Sequence, residues 1–534
     1  MHPQATTSDP SADFVPGPAE RQPEPRPAVR WDTVRKVHLI GIGGSAMGNF
    51  AGMLQAKGFE VRGSDVTVFD PMRSQLVKWS IPFTEGWSAS NLEWQPDLVI
   101  VGNVVRRDNV EAETMRARNL PYCSFPEGLG ELFLPGRIPT VIAGTHGKTT
   151  TTSLTAWLLE FAGQKPGLLV GGVPLNLGTS FRLGEGAPFV IEGDEYDTAY
   201  YDKRPKFVHY RPHHGVLTSC EFDHADIYPD FAAVQRAFAL FARLIPADGL
   251  LVAWGEDERV TAVLPHCKGR VARYGFAKVP QPGNLYQEPA LPLDIEIVLH
   301  SLDDQGADFT LRTGVAQPLG YRNPLPGLTP GQVIGRFRSP MPGRHNVLNA
   351  AAALTLALDL GVDVEVAQQA LAQFKSVKKR QELRGIANGV AVIDDYAHHP
   401  TAVKETIAAI RGQYPGRKLW ALFEAESNTS RRKVFETVYP DAFALADQVV
   451  LCQPLHKEGD KLTADQIMDA AVVCRSIEAK GKAARFIAGV PDIVDFVAST
   501  AQPGDVILAM SGRDFQGLHG QLLARLAERA ATGA

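Results

Sequence analysis

Short apolar runs recur along this chain, each ending in glycine, an acid or a histidine, and they alternate with stretches of helical periodicity. The first, Lys36-Val-His-Leu-Ile40, feeds the glycine turn Gly41-Ile-Gly-Gly-Ser-Ala-Met-Gly48 and an amphipathic helix to about Lys57. A second strand, Glu60-Val-Arg-Gly63, ends at Ser64-Asp65, and further strands are predicted over 98–101 and 121–124. Strand, glycine turn, helix, strand and terminal acid form the opening of a Rossmann-like unit. A new series begins at Ile138. Val141-Ile-Ala143 runs into a glycine turn with a helical pattern over 153–162. Phe189-Val-Ile191 leads to Glu192-Gly-Asp-Glu195, and Gly215-Val-Leu-Thr218 to Cys220-Glu-Phe-Asp-His-Ala-Asp226, with a helix over 231–244. Strands that end in acids and histidines between helices imply a parallel sheet whose chemistry lies at the strands' carboxyl ends. Residues 276–340, rich in Pro and Gly with β-type stretches at 293–299 and 309–312, read as a small antiparallel addition. Arg344-His-Asn-Val-Leu-Asn349 then opens a long apolar helix to about Leu360. Val390-Ala-Val-Ile393, ending in Asp394-Asp395, starts a third series with a helix from Thr401 and strands over 419–423, 448–452 and 506–510. The pattern predicts an α/β chain of three units, 34–136, 137–381 and 382–534, behind a disordered tail, 1–33.

Composition changes this picture little. With 534 residues, 44% hydrophobic and 21% charged, the chain exceeds one core, and roughly two to four domains are expected. A net charge of −5 gives no support for nucleic-acid binding or a polybasic membrane contact. No stretch approaches the roughly eighteen apolar residues of a spanning helix. The five cysteines (123, 220, 267, 452 and 474) are scattered without C-x-x-C spacing, which reads as reduced thiols in a cytoplasmic protein. Residues 1–30 lack the hydrophobic region of a signal peptide.

The chemistry concentrates in Gly144-Thr145-His146-Gly147-Lys148-Thr149-Thr150. A glycine turn between a strand and a helix leaves several backbone N–H groups pointing one way, which suits a phosphate chain. Lys148 would bridge the outer phosphates of ATP or GTP, and the Thr149 hydroxyl would hold Mg²⁺. The full G-x-x-x-x-G-K-[ST] pattern fails because residue 142 is Ile, so an ordinary βα turn is the competing reading. Glu192 and Asp223-His224 follow neighbouring strands. An acid there is the natural second ligand of nucleotide-bound Mg²⁺, and His224 suits a second cation or an oxyanion; a helix cap or surface charge is the bland alternative. Asp194 is expected to be solvated loop charge, and His398-His399 beside Pro400 to cap a helix rather than hold zinc. The first glycine loop, with Ala46 where a third glycine is usual, fits a dinucleotide, a sugar nucleotide or plain packing. One competing reading is therefore a nicotinamide-dependent oxidoreductase fused to a regulatory nucleotide unit; another is a non-enzymatic nucleotide switch. Two nucleotide-type loops, two cation sites and a third unit favour phosphorylation of a carboxylate followed by attack of an amine, that is, amide-bond formation.

These motifs resemble those of the Mur ligase family. Gly144-Thr-His-Gly-Lys-Thr-Thr150, Glu192-Gly-Asp-Glu195, Asp223-His-Ala-Asp226, His345-Asn-Val-Leu-Asn349 and Asp394-Asp-Tyr-Ala-His-His-Pro400 occur in that family's order and at its spacing, from about Lys36 to Leu526. Gly171-Gly-Val-Pro174, Tyr201-Asp-Lys-Arg-Pro-Lys-Phe-Val-His-Tyr210 and Ser427-Asn-Thr429 resemble the branch that recycles murein peptides. The resemblance implies a three-domain architecture: a Rossmann-like N-terminal UDP-binding domain, a central P-loop ATPase-like domain and a C-terminal Rossmann-like domain. It implies ATP and Mg²⁺, and joining of the lactyl carboxylate of UDP-N-acetylmuramate to the amino group of L-Ala-γ-D-Glu-meso-diaminopimelate through an acyl phosphate. The runner-up is the step that adds L-alanine. A cytoplasmic monomer or weak homodimer, serving peptidoglycan synthesis and recycling, cell shape and division, is what the family leads one to expect.

By position, the resemblance puts Gly41, Gly43, Gly44 and Met47 around a UDP-sugar, with Asp65 near the uridine. Gly144 to Thr150 would carry the nucleotide, with Lys148 neutralising phosphates, Thr149 and Glu192 on one Mg²⁺ and His224 on another. Asn349, Arg380 and Asp395 match positions that hold adenine, phosphate and ribose, and His345 a place near the amine or acyl phosphate. Ser427, Asn428 and Arg431 would meet the peptide. The helix over 231–244 contains no Lys, so the carbamylated lysine of some members has no counterpart. Two departures fall in the third unit. Glu424-Ala-Glu-Ser-Asn-Thr429 stands where the recycling branch tends to have Glu-Pro-Arg-Ser-Asn-Thr, and Ser511-Gly-Arg-Asp-Phe515 where a Ser-Asn-Gly-Gly-Phe pattern is usual.

Overall fold

The computed structural model describes residues 23–70, 72–277, 292–314, 325, 327–455 and 462–532. Three sheets follow one another along the chain. The first has five parallel strands in the order Phe83–Glu85, Glu60–Asp65, Lys36–Ile40, Leu98–Val101, Tyr122–Ser124. The four apolar residues Leu98–Val101 are buried on both faces, as a central parallel strand covered by helices requires. The order reverses at Lys36–Ile40, so the glycine loop after that strand opens at the sheet's switch point.

The central sheet has ten strands. Its parallel heart runs Arg270–Phe276, Leu250–Trp254, His214–Leu217, Ile138–Ala143, Pro188–Gly193, Gly167–Leu169. The predicted antiparallel addition exists as Ile295–Asp303, Gly306–Thr313 and Val333–Ser339, but it is not a separate piece. Ile295–Asp303 pairs in parallel with Arg270–Phe276 and so extends the sheet. Within that region, 278–291, 315–324 and 326 lie outside the described residues. The third sheet has six strands, ordered Glu382–Ala387, Val390–Asp395, Val506–Met510, Leu419–Phe423, Gln448–Leu451, Ala483–Phe486; only the first is antiparallel.

Two sequence expectations need correction. The helix after the phosphate-type loop spans Lys148–Phe161 and not 153–162, because the turn is complete at Gly147 and the four threonines form the first helical turns. The tail reading covers 1–22, which lie outside the described residues, but 23–33 are laid against the protein. Arg26 donates to the Tyr122 carbonyl (2.7 Å) and to both oxygens of Glu127, between the rings of Tyr122 and Tyr201. One apolar cluster is shared by the first and central units, from Val37 and Phe50 to Phe189 and Phe241. Among the described residues no helix is long and apolar enough to cross a membrane.

Candidate active site

The strand Ile138–Ala143 is apolar at its carboxyl end and delivers Gly144 to the edge of the sheet. Gly147 has φ +82°, and a Cβ there would run into Asn349 Oδ1, so both its backbone and its neighbour require glycine. The loop is fixed from the side: His146 N–H donates to Ser219 Oγ (2.8 Å), and the Thr145 hydroxyl accepts from Glu221 N–H (2.8 Å). Lys148, at the helix start, places Nζ 2.6 Å from the Gly144 carbonyl and 2.9 Å from Glu195 Oε2.

Two carboxylates frame this lysine. The Thr149 hydroxyl donates to Glu192 Oε1 (3.0 Å), and Glu192 Oε2 accepts from Gly171 N–H (2.8 Å). Glu195, 1% exposed, sits between Lys148 and His224 Nε2 (2.9 Å), and its carbonyl accepts from the Tyr228 hydroxyl. Burial opposes a charge on Lys148, yet Glu195, Asp194 and Glu192 outweigh it and hold the ammonium above the ordinary lysine range. His224 is likewise desolvated, but the Glu195 hydrogen bond and charge raise it above the usual histidine value. Its φ of +55° is a strained position for a non-glycine residue, of the kind that collects at functional sites. Asp194 corrects the expectation of solvated charge. It is partly buried, accepts from Lys206 Nζ (2.6 Å), and despite its burial Lys206, Lys148 and His224 hold it well below the carboxylate range. Asp194, Glu195 and His224 each offer one ligand atom, all within 4.8 Å of one another.

The third unit closes over this centre. Arg380 Nη2 lies 3.3 Å from the Thr149 hydroxyl, with its guanidinium over the Tyr396 ring. Asp395 accepts from the N–H groups of Gln381 (2.8 Å) and Ala397 (2.7 Å); burial raises its pKa, with Arg380 opposing. His345, lowered by burial to about 4 and therefore neutral at pH 7, pairs Nε2 with Gln381 Nε2 at 3.3 Å. Glu221 accepts from His146, Thr401 and Arg259, and His399 caps its helix by accepting from Thr401 N–H while Nε2 meets the Phe222 carbonyl at 3.2 Å. The His399 cap is the one expected for the helix that starts at Pro400. Further contacts are Asn428 Nδ2 to Asp226 Oδ2 (2.8 Å) and Ala225 N–H to Thr429 Oγ1 (3.1 Å). Ser427 pairs with Ser430. Arg431 is buried, with Nε on the Ser427 carbonyl and Nη1 on the Leu455 carbonyl, so its fork shapes the loop.

Lys148, Thr149, Glu192 and His224 therefore share one centre, Asn349 touches its glycine turn, and Arg380, Asp395 and His345 reach it through the 376–381 linker. The first glycine loop stands apart. Asp65 accepts there from Gly43 N–H (2.8 Å) and Val66 N–H (2.8 Å), Met47 is buried behind it, and Gly41 and Ile42 N–H both meet the Ser64 carbonyl. Beyond the neighbouring strand Leu98–Val101, Asn103 Nδ2 donates to the Asp197 carbonyl of the central unit (2.6 Å). Sequence reasoning passed over Glu195, Glu221 and Tyr228. Only Glu195 carried a signal, an acid in a dense acidic run beyond a buried strand.

A phosphate-type loop opening a helix, a hydroxyl–carboxylate pair beside it and a third α/β unit docked on top are the layout of a nucleotide-dependent enzyme. Three family models match in series: the Mur ligase family catalytic domain over 36–136, the Mur ligase middle domain over 142–357, and the Mur ligase glutamate ligase domain over 379–513. The chain belongs to the Mur ligase family and is a ligase. It is 38% identical, over 93% of its length and 99% of the relative's, to the UDP-N-acetylmuramate–L-alanyl-γ-D-glutamyl-meso-2,6-diaminoheptandioate ligase of Escherichia coli K12. A crystal structure of a murein peptide ligase from Psychrobacter arcticus, 33% identical, covers 92% of this chain and 98% of its own with a TM-score of 0.66. A UDP-N-acetylmuramate–L-alanine ligase from Arthrobacter is 36% identical over 80% of this chain and 83% of its own length. Family membership sets aside the oxidoreductase reading.

Proposed function

We propose that the chain joins the lactyl carboxylate of UDP-N-acetylmuramate to the amino group of L-Ala-γ-D-Glu-meso-diaminopimelate at the expense of ATP, in peptidoglycan recycling in the cytoplasm. The observation that carries this reading is near full-length similarity at 38% identity to a ligase named for that pair of substrates. The Arthrobacter alanine ligase is similar at a lower identity, 36%.

The residues present suit ATP and Mg²⁺. A left-handed glycine before a helix start, a half-buried lysine whose charge is secured by acids, and a threonine hydroxyl facing a glutamate are donors for a triphosphate and a hard cation. ATP supplies the phosphoryl group that turns the substrate carboxylate into an acyl phosphate with a good leaving group. In this reading Lys148 exchanges Glu195 for phosphate oxygens. Thr149 and Glu192 hold one Mg²⁺ and His224 the other, with Glu195 beside it. Asn349, Arg380 and Asp395 would hold the rest of the nucleotide. His345 lies near the incoming amine or the acyl phosphate. Gly41, Gly43, Gly44, Met47 and Asp65 receive the UDP-sugar, while Ser427, Asn428 and Arg431 shape the peptide's entry. We assign the domains as 34–136, 137–381 and 382–534.

The test is ADP release with ATP, Mg²⁺ and UDP-N-acetylmuramate, comparing the tripeptide with L-alanine and reading product mass. Tripeptide-dependent turnover is expected. Turnover with alanine alone would move the enzyme to the biosynthetic step.

A further inference from the structure

The two departures from the family pattern meet in space. Leu419–Phe423 and Val506–Met510 are adjacent parallel strands with Phe423 opposite Met510, so the loops that follow them lie side by side at the sheet's carboxyl edge. Glu426, on the first loop, is 6% exposed, and its Oε2 is 3.2 Å from Arg513 Nε on the second. Gly512 completes the arrangement: a Cβ there would run into Glu426 Oε1. Where the pattern has Arg, Asn and Gly, this chain has Glu426, Gly512 and Arg513. A carboxylate is introduced, room is made for it, and a cation is set opposite. The second loop is held from beneath by Glu424, which accepts from the Ser511 hydroxyl (2.7 Å) and from Gln516 Nε2 (3.0 Å).

The pair is asymmetric. The Arg513 side chain is 59% exposed, and Glu426 is its only ion-pair partner among the described residues. One edge of the guanidinium is therefore anchored through Nε on a side chain that stays largely exposed. A fork so held can take a carboxylate in two parallel hydrogen bonds, with less orientational freedom to lose than an untethered side chain. The Ser511 N–H on the second loop donates to the Asp395 carbonyl (3.1 Å), and on the first loop Asn428, two residues beyond Glu426, bonds Asp226 of the central unit (2.8 Å). The arginine thus stands at the lip of the cleft between the central and third units.

We propose that Arg513 is a specificity-determining residue that holds a free carboxylate on the third residue of the incoming peptide, with Glu426 and Gly512 as its positioning partners. This rests on the ligase reading above. The test is steady-state kinetics of the full chain and of Arg513→Gln. Three peptides are compared: the diaminopimelate tripeptide, its lysine analogue, which lacks the side-chain carboxylate, and its α-amide. For the parent tripeptide, Arg513→Gln should raise KM about tenfold or more, leave kcat within about threefold, and leave KM for UDP-N-acetylmuramate unmoved. One of the two trimmed peptides should be handled equally by both proteins, and that peptide names the carboxylate. An unchanged peptide KM, a loss confined to kcat, or an undiminished difference on both trimmed peptides would overturn the inference while leaving the ligase reading in place. Absence of tripeptide turnover by the unsubstituted protein would overturn that reading and this inference together.

Discussion

Lys148 is desolvated, and the acids around it, Glu195 foremost at 2.9 Å, offset that cost. Lys148→Ala leaves Glu195 with His224 alone, so turnover should fall by about a thousandfold or more. UDP-sugar affinity, read by calorimetry, should stay within about threefold because that loop makes no bond to this lysine; equal loss of both would contradict the division of labour between units. His345 and His399 bear on acid stability. Their ordinary pKa is 6.5, but burial lowers them to about 4 and about 3 in the fold. Between those values and 6.5 the unfolded chain binds more protons, so stability rises with pH and is lost as pH falls through the window. Denaturant titrations should show a positive slope from about pH 4 to 6.5, at most about 1.4 kcal/mol per pH unit for each such group. His345→Gln should flatten it, and an unaltered slope would exclude His345 as its source. Lys148, Thr149 and Glu192 were legible because motif and strand end coincide at each. Glu195 and Asp194 were not, because whether an acid is solvated depends on Lys206 and His224, which are brought in from other segments.

At the scale of elements, alternation of apolar runs marked most strands, and the misplaced helix start shows what it cannot mark. Threonines are poor helix interior residues, so a polar run read as loop, yet the glycine turn sets the onset at Lys148. The strand order of the central sheet, with Ile138–Ala143 between His214–Leu217 and Pro188–Gly193, is likewise invisible to local periodicity, since pairing partners are far apart in sequence. The segment before the first strand is the clearest case. Pro-rich and without an apolar run, it read as tail, but Arg26 docks it, with Glu24 N–H on the Tyr201 carbonyl and Val29 and Trp31 packed on the apolar cluster. Arg26 bonds Glu127 and the Tyr122 carbonyl in the first unit and faces Tyr201 in the central one. Arg26→Ala should therefore lower stability by about 1–3 kcal/mol, read as a lower melting temperature. Unaltered melting would show that the segment rests on the surface without contributing.

Across the whole molecule the three units are joined by unlike chemistry. The first and central units share an apolar cluster and so are expected to behave as one body. The third unit keeps its two clusters to itself, with all their members between 387 and 526. It meets the central unit through polar contacts: Asn428 with Asp226, Thr401 with Glu221 and Thr429 with Ala225. Such contacts exchange with water at little net cost, typically about 0.5–1.5 kcal/mol each, so the same surface can part and meet again. The linker between them holds Ser376, Lys379 and Gln381 at positive φ, strain that a rotation can release. None of this could be read from the sequence, because it depends on which surfaces the fold leaves apolar. The double substitution Asn428→Ala with Thr401→Val should weaken docking without disturbing either core. Small-angle scattering should then show a larger radius of gyration without ligands. ATP with UDP-N-acetylmuramate should compact the unsubstituted protein more completely than the variant, while melting temperatures stay within about two degrees. Identical scattering of the two proteins in both states would mean that the third unit is held by something other than these bonds.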